Sequence, residues 1–208
     1  MKQDRGYFAL GLLLVALGVV FLLQNFGVLS GIANLVWVVL FGLGGLAFLW
    51  VFITNNEQWW ALIPGFTLLG LAGLIGFGDR LGEWAAALFL AAIGLSFWLI
   101  YAVRRDFWWA IIPGGALFSV ALLVALSDVM KGEAAVGVFF VGLAATFGLV
   151  SQVSTPEGKM KWALIPAAVL AIMGFLFLLT LGGLMNYVWA VALILGGAFL
   201  IWRTLARR

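Results

Sequence analysis

Apolar residues fill the chain in eight long runs, separated by short polar stretches. The runs cover residues 6–23, 32–53, 59–76, 84–103, 108–126, 134–150, 162–181 and 187–202. Each is close to the ~20 residues that a helix needs to cross the hydrocarbon core of a bilayer. The pattern therefore predicts eight transmembrane helices, with turns at 54–58, 78–83, 127–133 and 182–186 and a longer linker at 151–161. The first run exceeds the ~7–15 apolar residues of a signal-peptide core and no small-x-small site follows it, so it reads as a span. Gln24-Asn25-Phe26-Gly27 closes that span, with Gly27 placed as a C-terminal stop.

The runs are not independent. Trp59-Trp60-Ala61-Leu62-Ile63-Pro64-Gly65 returns as Trp108-Trp109-Ala110-Ile111-Ile112-Pro113-Gly114 and as Lys161-Trp162-Ala163-Leu164-Ile165-Pro166-Ala167. A fainter copy, Tyr7-Phe8-Ala9-Leu10, lacks the proline. The steps between copies are 52, 49 and 53 residues, which predicts one unit written four times. The fold expected is thus an all-α polytopic membrane bundle, a single domain over 1–208, made of four antiparallel hairpins at about 6–53, 59–103, 108–150 and 162–203.

Composition supports this reading. The chain is 66% hydrophobic and 9% charged, against about half and a quarter in soluble domains. All 11 basic and 8 acidic residues fall in turns or at the ends, as the cost of ~2.5–3.5 kcal/mol for a charge at mid-bilayer requires. Lys2, Arg5, Arg104, Arg105, Lys159, Lys161, Arg203, Arg207 and Arg208 share the side of both termini, and Arg80 and Lys131 the other. The excess places both termini in the cytoplasm. These basic residues serve as topology signals, so no nucleic-acid partner is expected.

On this topology the Trp pairs open the third, fifth and seventh spans at the cytoplasmic interface, where indole rings settle well. Pro64, Pro113 and Pro166 fall four or five residues later, which looks too deep for a harmless first-turn proline. Each is expected to free a carbonyl, at Trp60, Trp109 and Trp162. Two outcomes stay open: a kink that shapes the bundle, or a ring of freed carbonyls around a cytoplasmic vestibule. The even-numbered spans repeat a small-residue phrase ending in Phe48, Phe97, Phe147 and Phe199. Gly45, Gly94, Ala144 and Gly197 are expected to pack helix on helix, with a lipid or cofactor groove as the alternative.

Candidate chemistry is sparse. The chain has no Cys and no His, so Ser-His-Asp and Cys-His sets, thiolate metal sites and imidazole acid–base work are excluded. Asp79 with Glu83, and Asp128 with Glu133, sit in the opposite turns. A cation site is conceivable there, but Glu83 and Glu133 fit better as first-turn residues facing the helix dipole. The spans carry no ionisable residue of the kind that ion and proton pathways use. Their few hydroxyls, on Thr67, Ser96, Ser119, Thr146 and Thr180, are expected to bond back to their own helices. No catalytic residue, metal or cofactor is expected.

The first unit carries a resemblance. Gly11, then Gly18-Val19-Val20-Phe21-Leu22-Leu23-Gln24-Asn25-Phe26-Gly27, followed by a second span with Trp37, is similar to the LiaI/LiaF-like transmembrane region of bacterial envelope proteins. It covers about residues 6–53, a quarter of the chain. The resemblance implies a bacterial cytoplasmic membrane and envelope-stress signalling through membrane partners. The function expected is a non-enzymatic scaffold, accessory subunit or signalling partner. It would work through the lipid bilayer, other membrane proteins or self-association. The alternative is a channel or carrier for a small neutral or lipid-like molecule.

Overall fold

A computed structural model describes residues 33–130, 132–155, 158–179 and 185–205, with Gly11, Val15, Gly18, Val19, Leu22 and Phe26 as single positions. Most of the first expected span lies outside the described residues, as do the Tyr7-Phe8-Ala9-Leu10 phrase, Lys131 and Thr180. Gly11, Val15, Gly18, Val19 and Leu22 are helical and Phe26 lies in a turn.

Seven α-helices follow: α1 (Ala33–Thr54), α2 (Leu62–Leu81), α3 (Glu83–Val103), α4 (Ile111–Leu126), α5 (Gly132–Gln152), α6 (Leu164–Leu178) and α7 (Met185–Leu205). The protein is all-α, and among the described residues six segments are long and apolar enough to cross a membrane. Sequences this apolar become helices because hydrocarbon offers no partner to backbone N–H and C=O groups, which must then bond within the segment.

Consecutive helices pack in antiparallel pairs, from α1 on α2 through to α5 on α6. The direction shows in the crossings: Gly65 of α2 lies against Leu49 of α1, and Gly76 against Val38. Among the described residues, the extensive helix contacts all join chain neighbours. Helices α1 to α6 therefore form a row, in which α4 is the most enclosed (39% buried) and α1 the least (6%). Apolar side chains such as Leu35, Leu43, Trp50, Ile165 and Ile172 face outward, more than half exposed. In water that surface would drive aggregation, whereas lipid covers it.

Two connections differ from expectation. The turn expected at 78–83 is far shorter, because α2 continues to Leu81 and α3 begins at Glu83. Asp79 and Arg80 keep helical backbone while their side chains stay exposed. The reversal falls on Gly82, at φ 54° and ψ −131°. A Cβ is badly tolerated there, so Gly82→Ala should lower stability by about 1–2 kcal/mol. Gly78→Ala, with open space around its Cβ, should not. Thermal unfolding of both variants in one detergent checks the contrast. The linker at 151–161 holds a small antiparallel pair, β1 (Ser154–Thr155) and β2 (Gly158–Lys159), with Ser154 opposite Lys159.

Candidate functional site

The thrice-written phrase folds the same way each time. Trp59–Ala61, Trp108–Ala110 and Lys161–Ala163 each form a single 3₁₀ turn, and the α-helix starts at the next residue. Each turn is closed by the N–H of the phrase alanine. Ala61 donates to the Gln58 carbonyl at 3.0 Å, Ala110 to Phe107 at 3.0 Å and Ala163 to Met160 at 3.1 Å. The three alanines are fully buried.

This start corrects the reading of the prolines. The α-helices open at Leu62, Ile111 and Leu164, so Pro64, Pro113 and Pro166 each stand third in their helix. N–H groups in a first turn have no partner within the helix, and proline forfeits little there. The carbonyls of Trp60, Trp109 and Trp162 each accept from the N–H of the residue that opens the α-helix, which they share with the carbonyl before. Pro64→Ala should consequently change stability by less than roughly 1 kcal/mol. A gain of about 3 kcal/mol in thermal or denaturant unfolding would instead reveal an interior, helix-bending proline.

What the phrase meets is the small-residue phrase of the preceding helix. Phe48 and Trp60 pack edge to face, their centroids 6.0 Å apart at 75°. Phe97 and Trp109 repeat this at 6.3 Å and 76°, and Phe147 and Trp162 at 6.4 Å and 74°. One step deeper, a Cβ on Gly45 would stand 2.9 Å from the Gly65 carbonyl oxygen and 2.7 Å from Leu69 Cγ. A Cβ on Gly94 would stand 3.1 Å from the Gly114 carbonyl and 3.3 Å from Phe118. Backbone thus approaches backbone where only glycine leaves room, and an aromatic pair closes the crossing above it. We call this arrangement a joint.

Successive joints touch. Trp59 packs on Phe107 at 4.9 Å and on Trp109 at 6.2 Å. Leu62, Ile100 and Ala110 form a buried cluster beneath these rings, and Ile111, Val150 and Ala163 form another beside it. At the Trp end, the row is held by a ladder of aromatic rings over small buried residues. Next to the second cluster a cavity of about 160 Å³ is lined by Trp98, Tyr101, Ile111, Leu149, Gln152 and Val153. It is smaller than the ~300 Å³ at which small-molecule sites begin.

The other expected residues fall as follows. Ala144 is buried at its crossing. Gly197 differs: among the described residues nothing lies within 4 Å of where its Cβ would stand. The hydroxyls bond to their own helices as expected: Thr67 donates to Ile63, Ser96 to Ile93, Ser119 to Gly115 and Thr146 to Gly142. Of these, Ser119 and Thr146 also fill space, standing where Cβ atoms on Gly142 and Gly115 would go. Glu83 sits in the first turn of α3 and Glu133 is the second residue of α5. Among the described residues no acidic group of three or more gathers at one place.

Sequence reading found both halves of the joint but not their meeting. The signal was available in the spacing, since Phe48 precedes Trp60 by 12 residues, Phe97 precedes Trp109 by 12, and Phe147 precedes Trp162 by 15. The β1–β2 hairpin lies in the longer third connection. Compared with known proteins, the chain matches no family model, no curated protein and no solved structure.

Proposed function

We propose that the protein is a non-enzymatic integral membrane protein, a scaffold or accessory subunit working through helix contacts within the bilayer. One observation carries this reading: closely packed helix crossings recur along the row, three of them closed by the same edge-to-face aromatic pair. The buried hydroxyls support it, because they serve local backbone and packing rather than a polar route. The outward faces of α1 and α6 supply apolar surface for partners. On this reading there are eight spans in four like hairpins, the first built from residues 6–53. The charge distribution favours cytoplasmic termini, and the similarity of the first unit to LiaI/LiaF-like regions favours a bacterial cytoplasmic membrane and a part in envelope-stress signalling.

Orientation is open to direct test, because the chain has no Cys of its own. Single cysteines at Gly78 and Ser127 should react with an impermeant thiol reagent from one side, and one at Ser154 from the other. For function, a photo-crosslinking residue at Leu43 or Leu46, both exposed on α1, should yield discrete protein adducts in native membranes. Adducts with lipid alone, together with flux of a neutral solute through reconstituted vesicles, would replace the scaffold by a channel or carrier.

A further inference from the structure

The second joint differs from the first in ways that a joint does not need. The two align without a gap, since Phe48 and Phe97 each precede their Trp by 12 residues. On that alignment Leu49, Phe52, Asn55 and Asn56 become Trp98, Tyr101, Arg104 and Arg105. Leu49 and Trp98 do the same packing. A Cβ on Gly65 would stand 2.8 Å from Leu49 Cδ2, and one on Gly114 2.9 Å from Trp98 Cδ1. Leucine therefore suffices to close the crossing. Two of the four changes add a hydrogen-bond donor to an apolar position, and two add positive charge. They meet at the cavity of about 160 Å³, where Trp98 and Tyr101 of α3 stand opposite Leu149 and Gln152 of α5. Arg105 lies over the Tyr101 ring, its Cζ 4.7 Å from the centroid, and has no acidic partner among the described residues. Neither the Trp98 Nε1–H nor the Tyr101 hydroxyl has a hydrogen-bond partner among the described residues, and neither is sealed from the surface. The Gln152 amide makes one long bond, 3.4 Å to the Gly148 carbonyl of its own helix. Met160, set between the exposed Lys159 and Lys161, packs on the same buried cluster as Tyr101.

We propose that this cavity is a site for one anionic phospholipid, its phosphate held by Arg105 and its glycerol region entering between Trp98, Ile111 and Leu149. Size points to part of a molecule. The cavity is too small for a whole small-molecule ligand, but a phospholipid need bury only its glycerol and first methylenes there, with its chains running on in the bilayer. The opening suits that pose, because Leu149 and Gln152 are both exposed, the first apolar and the second the last residue of α5. Charge selects the headgroup. The connections at 104–107 and 151–161 carry Arg104, Arg105, Lys159 and Lys161 against Asp106 and Glu157, a balance that attracts anionic headgroups and gains little from zwitterionic ones. A guanidinium forks onto phosphate oxygens in bidentate fashion and stays charged at any physiological pH. Trp and Tyr at a membrane interface need no ligand when they face lipid. Here they line a recess, with an arginine fixed on its wall. The inference rests on the chain lying in a bilayer, not on the scaffold reading.

Native mass spectrometry of the full chain in a neutral detergent, titrated with phosphatidylglycerol or phosphatidylcholine, tests the site. One phosphatidylglycerol should bind about tenfold more tightly than phosphatidylcholine. Arg105→Asn, which puts the first joint's residue there, should weaken that binding by about five- to tenfold. Trp98→Leu combined with Tyr101→Phe should weaken it as well. Arg203→Asn removes the same charge from α7, outside the cavity lining, and should change it less than about twofold. Thermal midpoints without lipid should match the unaltered protein, because Leu and Phe already serve at the first joint. If the double variant nonetheless unfolds early, Arg105→Asn alone decides, since that side chain is exposed. Equal losses in Arg105→Asn and Arg203→Asn would overturn the site in favour of diffuse attraction by charge. Displacement of the lipid by inorganic phosphate would overturn it in favour of a free oxyanion. Equal binding of the two lipids, or of neither, would also refute it. None of these results touches the protein adducts expected at Leu43 and Leu46, so the scaffold reading stands or falls separately.

Discussion

Gly174→Leu should be among the most damaging single substitutions in the protein. A Cβ at this position would stand 2.9 Å from the Val141 backbone nitrogen, 3.0 Å from the Gly137 carbonyl oxygen and 2.7 Å from Val141 Cγ2. The reverse contact is as tight, since a Cβ on Gly137 would stand 3.0 Å from the Leu178 nitrogen and 3.1 Å from the Gly174 carbonyl. Two of the obstacles at Gly174 are backbone atoms, so no rotamer change makes room and α5 must separate from α6. Overpacking of this kind costs about 1–3 kcal/mol and sometimes more. Lipid makes the loss harder to recover, because helices in a bilayer associate through close packing rather than escape from water. Gly45→Leu and Gly94→Leu should behave alike at their joints. Gly42→Leu and Gly148→Leu meet open space and should be tolerated, or slightly stabilising through better helix propensity. Thermal midpoints in one detergent decide the matter, and equal losses at all five positions would remove close packing as the explanation.

That contrast also marks where sequence reading stops. In a soluble helix the apolar stripe shows which face is buried. Here nearly every side chain is apolar, so polarity is silent and the information passes to side-chain size. Repetition made size readable at Gly45 and Gly94, where a small residue always sits three before a phenylalanine. Gly137 and Gly174 belong to no repeated phrase, and nothing in the sequence separates them from Gly42 or Gly148. Gly82 was hidden differently. Asp79 and Arg80 pulled the expected turn earlier, although a charged last turn at the interface remains helical at little cost. The three phrases were plain from sequence, but not that a 3₁₀ turn precedes each α-helix. That turn moves the proline from a helix interior to a helix start. Gly197 was expected to pack because its phrase matched the others. The match is real, but among the described residues nothing packs where a Cβ on Gly197 would stand, a distinction that only coordinates make.

Trp109→Ala should cost more than Trp60→Ala, although the two residues hold the same place in the phrase. Among the described residues Trp60 has one ring partner, Phe48, and it donates its Nε1–H to the Gln58 side chain at 2.6 Å. Trp109 has three ring partners: Phe97 at 6.3 Å, Trp59 at 6.2 Å and Phe107 at 6.2 Å. Each well-oriented aromatic pair contributes about 0.5–1.5 kcal/mol beyond burial, so losing three should cost roughly 2–4 kcal/mol. The difference arises because Trp109 belongs to two joints, its own with Phe97 and that of Trp59 through the ladder. A double-mutant cycle separates ring contact from general loss of bulk. With Phe97→Leu and Trp109→Leu, the coupling energy should be about 0.5–1.5 kcal/mol. The same cycle between Trp60 and Phe107, two described residues whose rings do not pack on each other, should couple far less. If the two cycles agree, the rings act only as interfacial bulk, and the joint reduces to its glycine crossing. If only the first couples, the edge-to-face pair holds its joint by ring contact as well as by bulk.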